Sequence, residues 1–213
     1  MIRVHKSPQV PSSLINTSNY DGEDVKRLLN EDQHSKCYIC ERQRITDFEI
    51  EHYKSQKNYS DLIRVWDNLF MGCGYCNRKK SRNFDNILNP IDCNIEDTIE
   101  QRLDHKNKRA FFKSDINDAQ HNNTIELLNR IYNGTSHVRN IKEEKFFEYT
   151  LSIINRFLQL VSLYLESPSS ENAKAVRDEL AIDKEMLGFK YWIIRDKQAL
   201  FDVFAQDIIW NKN

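Results

Sequence analysis

Two hydrophobic periods divide the chain. Phe48-Glu49-Ile50-Glu51-His52-Tyr53 alternates apolar and polar positions, the repeat of a half-buried strand. A polar loop follows from Lys54 to Ser60. After Asp61 to Val65, Trp66-Asp67-Asn68 leads into Leu69-Phe70-Met71, a second short strand. Asn77 to Arg82 reads as a basic helix starting at or just after Cys76, so the local order is strand, loop, strand, helix. Gly72 and Gly74 flank Cys73, where glycine's backbone freedom would permit the tight turn of a metal knuckle.

Elsewhere the repeat is helical. Asp21 to Asp32 places Val25, Leu28 and Leu29 on one face and predicts a short amphipathic helix lying as a lid on the first cysteine pair. Thr124 to Tyr132 predicts another, ended near Gly134. Ile141 to Leu165 carries Phe146, Phe147, Leu151, Ile154, Leu158 and Val161 at spacings of three and four. Ser167-Pro168-Ser169-Ser170 breaks it, and Glu171 to Met186 and Tyr191 to Trp210 give two more helices. Ile95 to Lys113 has neither period clearly. Met1 to Ser18, with Pro8 and Pro11, reads as an extended arm that only packing could order. The expected fold is α+β in three parts: an arm and short helix over 1–36, a small strand-strand-helix core over 37–92, and a mainly α-helical, partner-binding region over 93–213.

A chain of 213 residues is long enough for a real core and one to two domains. With 39% hydrophobic and 30% charged residues, and few glycines and prolines, it reads as compact and helix-rich rather than disordered. No stretch approaches the ~18 apolar residues of a membrane span, and Met1 to Val10 lacks the apolar block of a secretory signal. A cytoplasmic protein without membrane contact is expected. The net charge of −1 excludes a polycation that would condense on nucleic acid, so any such affinity must be local or borrowed from a partner.

Four of the five cysteines form two Cys-x-x-Cys pairs, Cys37/Cys40 and Cys73/Cys76; Cys93 stands alone. A two-residue spacer lets both thiolates of a pair reach one ion, and two pairs supply the tetrahedron that zinc prefers. The long spacer between pairs costs little, because loop-closure entropy grows only logarithmically. A structural Zn²⁺ is the reading; a redox pair beside a coincidental one is the competitor.

The segment between these pairs carries the chemistry. Hydrolysing a phosphodiester with one metal needs a base for water, an oxygen-ligated ion of the Mg²⁺ type on the phosphate, and a scaffold that keeps them together. Ile50-Glu51-His52, Trp66-Asp67-Asn68-Leu69 and Cys76-Asn77-Arg78-Lys79-Lys80-Ser81 offer these residue types. The arrangement resembles the HNH endonuclease motif in its zinc-stapled ββα-metal form. On that resemblance His52 corresponds to the general base, Glu51 to the carboxylate ligand of a catalytic Mg²⁺ or Mn²⁺, Asn68 to the central Asn that braces the loop and orients the base, and Asn77 to the last motif residue, a second metal ligand. Asn stands at that last position where the family name implies His, leaving a neutral oxygen donor. The resemblance also implies products bearing a 5′-phosphate. One tension remains: neighbours on a strand face opposite ways, so the strand must end, twist or bulge for Glu51 and His52 to serve one site.

Arg78, Lys79, Lys80 and Arg82, on the helix presenting Asn77, are candidates for gripping phosphates, against the alternative of a solvated charged face. Lys54 and Lys57 are weaker ones. Trp66 and Tyr75 can stack on bases or serve the core. His5, His34, His105, His121 and His137 have no partner pattern.

A broader similarity runs from the proline-containing arm through Ile50-Glu51-His52, Trp66-x-Asn68-Leu69, Cys73-x-x-Cys76-Asn77-x-x-Lys80 and Leu88-Asn89-Pro90 to Ile125-Glu126-Leu127-Leu128 and a helical tail. It resembles the HNH subunits of Septu-type two-gene anti-phage defence systems, which implies a bacterial nuclease working with an ABC-type ATPase on nucleic acid, DNA ahead of RNA. The alternative is a zinc-bearing nucleic-acid-binding or scaffolding subunit without catalysis. A restriction enzyme acting alone is disfavoured, because no recognition domain is recognisable.

Overall fold

The computed structural model describes residues 1–17, 19–43, 46–136 and 138–211; Ser18, at the end of the expected arm, and His137 lie outside them. β1 (Phe48–His52) and β2 (Leu69–Cys73) pair antiparallel, with Glu51 opposite Phe70 and His52 opposite Leu69. α3 (Gly74–Lys80) follows β2 without a linker, and the Cys73 sulfur caps it by accepting the Cys76 amide at 3.4 Å. The expected order is present, with the helix starting two residues before Cys76.

The glycines beside Cys73 act differently from the expectation. Neither Gly72 nor Gly74 has a positive φ. What they provide is space: a Cβ on Gly72 would stand 3.0 Å from Cβ of Glu51, and one on Gly74 would stand 2.6 Å from Oδ2 of Asp47. At Gly72 glycine serves the close approach of Glu51 rather than a turn, whereas the atoms around Gly74 are the mobile ends of Asp47, Glu49 and Arg78.

α1 (Ser12–Asn16) and α2 (Glu23–Asp32) precede the hairpin. α2 is not a lid on the cysteines. Its Val25 and Leu29 pack with Leu14, Trp66, Leu69 and Met71, whereas the cysteines belong to a separate cluster. Alternation along β2 explains the division: Leu69 and Met71 face α2 while Phe70 faces the main core. Gln33, just past α2, ties the helix to the hairpin by accepting the Met71 amide and donating to the Met71 carbonyl.

The main core takes residues from almost the whole chain, from Val4 in the arm through Cys37, Phe70 and Cys76 to Leu127, Tyr132, Phe146 and Phe189. The arm is ordered by this burial and by the Val4 amide, which donates to the Pro90 carbonyl at 2.8 Å. The ambiguous segment holds α4 (Ile95–Thr98) and a second hairpin, β3 (Glu100–Asp104) with β4 (Arg109–Lys113). Helix α6 (Ile141–Glu166) follows the expected periodicity, α5 (Ala119–Asn133) begins five residues before the expected Thr124, and α7 (Ser170–Leu180) stops six residues short of the expected Met186, because Ala181 is extended and Met186 takes a left-handed conformation ahead of the next helix. The single helix expected over Tyr191 to Trp210 is divided into α8 (Leu187–Arg195) and α9 (Gln198–Phe204), with Lys197 extended between them. α8 is anchored by the buried Glu41 carboxylate, which accepts the Leu187 amide at 2.7 Å, and by Trp192, whose indole donates to the Ile99 carbonyl. The chain must then turn for Leu200 and Phe204 to pack against Val176 and Leu180. No helix among the described residues is long and apolar enough to cross a membrane.

Candidate metal centre and active site

The first Cys-x-x-Cys precedes β1 and the second spans the β2–α3 junction, so pairing of the strands brings the knuckles together. All four cysteines are buried and their sulfurs lie within 4.8 Å of one another, with Cys40 and Cys73 at 3.9 Å. Zinc–sulfur bonds of ~2.3 Å in a tetrahedron require sulfur–sulfur edges of about 3.8 Å. The cluster can therefore hold a zinc ion. Without a cation, burial pushes the Cys40 and Cys76 thiols far above their ordinary range, because a buried thiolate lacks solvation. Zinc reverses that preference, and four thiolates around one Zn²⁺ leave two net negative charges. Arg42 is placed to balance them. Burial works against its charge, but the surrounding cysteines outweigh that and raise the guanidinium's pKa.

His52, at the end of β1, is 5% exposed. Its Nε2 lies 3.0 Å from the Ile63 carbonyl, an acceptor only, so Nε2 carries the proton and Nδ1 is left with a lone pair. Nδ1 faces the Gln56 amide at 3.2 Å, and the Tyr20 ring packs edge-on against the imidazole. Asn68 clamps the same loop, donating to the Lys54 and Leu62 carbonyls and accepting the Lys54 amide at 2.7 Å. The carbonyl next to Leu62 is the one that receives His52. Burial lowers the His52 pKa, opposed by the Ile63 bond and assisted by Lys80, so the imidazole is neutral at pH 7.

Glu51 turns the other way, as a strand neighbour must, and the strand ends at His52 with its register intact. Glu51 is also 5% exposed. One carboxylate oxygen accepts the Tyr38 hydroxyl at 2.7 Å and the other the Lys80 ammonium at 2.9 Å. Burial pushes its pKa up, and Lys80 and Tyr38 offset only part of that. Lys80 also donates to the His52 carbonyl at 2.9 Å, linking the two residues through one cation.

Asn77 meets Glu49 rather than Glu51: its amide donates to the Glu49 carboxylate. Asn77 thus presents its nitrogen to Glu49, while both Glu51 oxygens are taken by Tyr38 and Lys80. Period two puts Glu49 and Glu51 on one face, so Glu49 was within reach of sequence reasoning. Tyr38 and Gln56 carried no such signal.

The basic residues separate. Arg78 and Arg82 are exposed, and Lys79 pairs with Glu143 of α6. Lys80, grouped by the sequence with the phosphate-gripping cations, is 0% exposed and faces inward. The reason is helical phase: three residues after Asn77, it lies on the face that packs on β1. Trp66 is a core residue, its indole donating to the Ser7 carbonyl. Tyr75 stacks on Phe146 with ring centres 4.8 Å apart and donates to the Ile131 carbonyl.

With this geometry in place, comparison with known proteins adds a relative. The chain is similar to the Septu protein PtuB. PtuB of Bacillus thuringiensis is 29% identical over 116 residues, covering 47% of this chain and 44% of that protein. PtuB of Bacillus mycoides (strain KBAB4) is 33% identical over 85 residues, 33% of this chain and 29% of that protein. The chain thus spans less than half the length of these PtuB relatives. No family model and no solved structure matches it. The likeness to PtuB and the broader similarity read in the sequence name the same Septu type; the HNH assignment rests on the residues alone.

Proposed function

We propose that this protein is a metal-dependent HNH endonuclease, the nuclease effector of a bacterial anti-phage defence complex in the cytoplasm, with an ABC-type ATPase as partner and DNA as substrate. The observation that carries this reading is the mounting of His52. Its Nε2–H is held on the Ile63 carbonyl, Asn68 braces that loop, and Nδ1 is directed toward a displaceable amide. A neutral, pre-oriented imidazole is what a general base requires near pH 7. The similarity to PtuB supports the defence setting and the expectation of a partner.

In this reading a water replaces the Gln56 amide, gives its proton to Nδ1 of His52 and attacks phosphorus as the P–O3′ bond breaks; the leaving 3′-oxygen takes a proton from solvent, and the phosphate stays on the 5′ side. Asn68 keeps the imidazole from rotating. Because Glu51 and His52 leave β1 on opposite faces, a hard divalent cation serving both would have to take the place of the Lys80 ammonium, now held by Glu51 and the His52 carbonyl, and turn the Asn77 oxygen toward it. Glu51 and Asn77, joined by Glu49, would hold it, and Mg²⁺ or Mn²⁺ there supplies Lewis-acid stabilisation of phosphate charge. The Cys37, Cys40, Cys73 and Cys76 knuckles, carrying Zn²⁺, hold β2 to α3 and so place these residues.

A second reading has an observation of its own. Both oxygens of Glu51 and both ring nitrogens of His52 already have protein partners, as in a purely structural pair. That pattern favours a zinc-bearing nucleic-acid-binding or scaffolding subunit. Co-expression with any ATPase encoded beside it, then incubation with plasmid DNA and total RNA in Mg²⁺ or Mn²⁺, separates the two. The nuclease reading expects His52→Ala to fold normally yet lose about 100-fold or more in cleavage rate. Because the His52 pKa lies below 6.5, the acid limb of the wild-type rate profile should have its midpoint below pH 6.5. Equal cleavage by wild type and variant would sink the catalytic assignment.

A further inference from the structure

Beside the zinc knuckles an open groove runs between α3, the first turns of α6 and the loop leaving Cys40. Four cationic side chains line it, Arg42, Arg78, Lys142 and Lys145, over a floor made by the stacked rings of Tyr75 and Phe146. Among the described residues no acidic side chain lines it, and none of the four cations forms an ion pair. Two further lining residues, Tyr149 and Gln43, donate their hydroxyl and backbone amide to the Glu185 carboxylate, which does not itself line the groove. In a chain of net charge −1 this concentration of positive charge is a local departure. Three of the cations, Arg78, Lys142 and Lys145, are exposed.

We propose that this groove takes the sugar-phosphate backbone of a nucleic acid, an inference that rests on the nucleic-acid reading above but not on cleavage. Backbone rather than bases is the fit. Phe146 is buried and the Tyr75 ring is stacked on it with its hydroxyl on the Ile131 carbonyl, so the floor has little ring face left for splayed bases, whereas the four charged side chains of the walls are all donors. The groove is also continuous with the candidate active face. A guanidinium nitrogen of Arg78 comes within 2.9 Å of the point where a Gly74 Cβ would stand, and carboxylate oxygens of Glu49, the partner of Asn77, and of Asp47 within 2.8 and 2.6 Å of it, so the acids begin where the groove ends. A strand lying along Lys145, Lys142 and Arg78 would therefore run onto the face that bears Glu49, Asn77 and Glu51.

The test is the double variant Lys142→Glu/Lys145→Glu. Both side chains are exposed on the opening turns of α6, where acidic residues suit the helix N-terminus, so the fold is retained, as circular dichroism would verify. Binding of the full, zinc-loaded chain to a short labelled DNA duplex is followed by fluorescence anisotropy over a range of salt, without Mg²⁺ or Mn²⁺. Loss of two phosphate contacts should raise Kd about tenfold or more and make the log–log salt slope shallower by about 2. Unchanged Kd and slope would overturn the assignment, as would a wild type that binds no DNA at low salt. Displacement of DNA by polyglutamate at comparable concentration would also overturn it, in favour of an acidic protein segment. Cleavage is scored separately in Mg²⁺ on the chain co-expressed with the ATPase. Groove-dependent binding without cutting keeps this inference and defeats the nuclease; full cutting by the double variant does the reverse.

Discussion

Lys80 is where residue chemistry and sequence pattern part company. It lies in a run of cations yet is wholly buried, with its ammonium shared between Glu51 and the His52 carbonyl. Removing one partner of a buried ion pair leaves an uncompensated charge, so Lys80→Met should cost about 3–5 kcal/mol, whereas exposed Arg82→Met should change stability by no more than about 0.5 kcal/mol. Urea denaturation at pH 7 measures both. The Lys80→Met deficit should shrink as the pH falls toward 4.5. Glu51 already has a raised pKa, which loss of Lys80 raises further, and the folded chain then neutralises the carboxylate by binding a proton before the unfolded chain does. A deficit independent of pH would mean that Glu51 is not the group left stranded.

At the scale of elements, α6 is tied to the core of β1, β2 and α3 through its first turn. Asn140 and Glu143 form a capping box, and the same Glu143 pairs with Lys79 on α3. Asn140→Ala should cost about 1 kcal/mol, the usual worth of an N-cap. Glu143→Ala should cost more, because it strands Lys79 as well as an amide of the cap. Thermal unfolding of the two variants gives the order, and equal costs would argue that the Lys79 contact contributes nothing. The elements also differ in legibility. α6 announces itself through many turns of consistent period. β4 does not, because exposed Phe111 interrupts the alternation that buried Ala110 and Phe112 would otherwise display. β3 hides for the opposite reason, since its most deeply buried member is the polar Gln101.

At the scale of the molecule, the four cysteines lie in the same cluster as Tyr132, Phe146, Ile154 and Phe189 from the helical region. Losing the metal should therefore affect more than the hairpin. A structural zinc can contribute ~10 kcal/mol or more to folding, comparable with the whole stability of a small protein. Chelation should release one zinc per chain and abolish the cooperative thermal transition, with helical circular dichroism falling too. Retention of a sharp transition at unchanged temperature, in a metal-free sample, would rule out a structural ion.

The sequence by itself determined the local features: the four-cysteine spacing, the strand-loop-strand-helix order, the long amphipathic α6 and the likeness to Septu-type proteins. Each depends on residues near one another in the chain or on a short repeat, and such patterns survive without knowledge of the fold. Only the tertiary structure decided that α2 covers the far face of the hairpin, that Glu49 rather than Glu51 meets Asn77, that Lys80 is internal, and that α6 lends Lys142 and Lys145 to a groove beside α3. Those outcomes depend on which faces pack together and on helical phase at a particular junction. Both are settled by burying a shared core, and no local window contains that information.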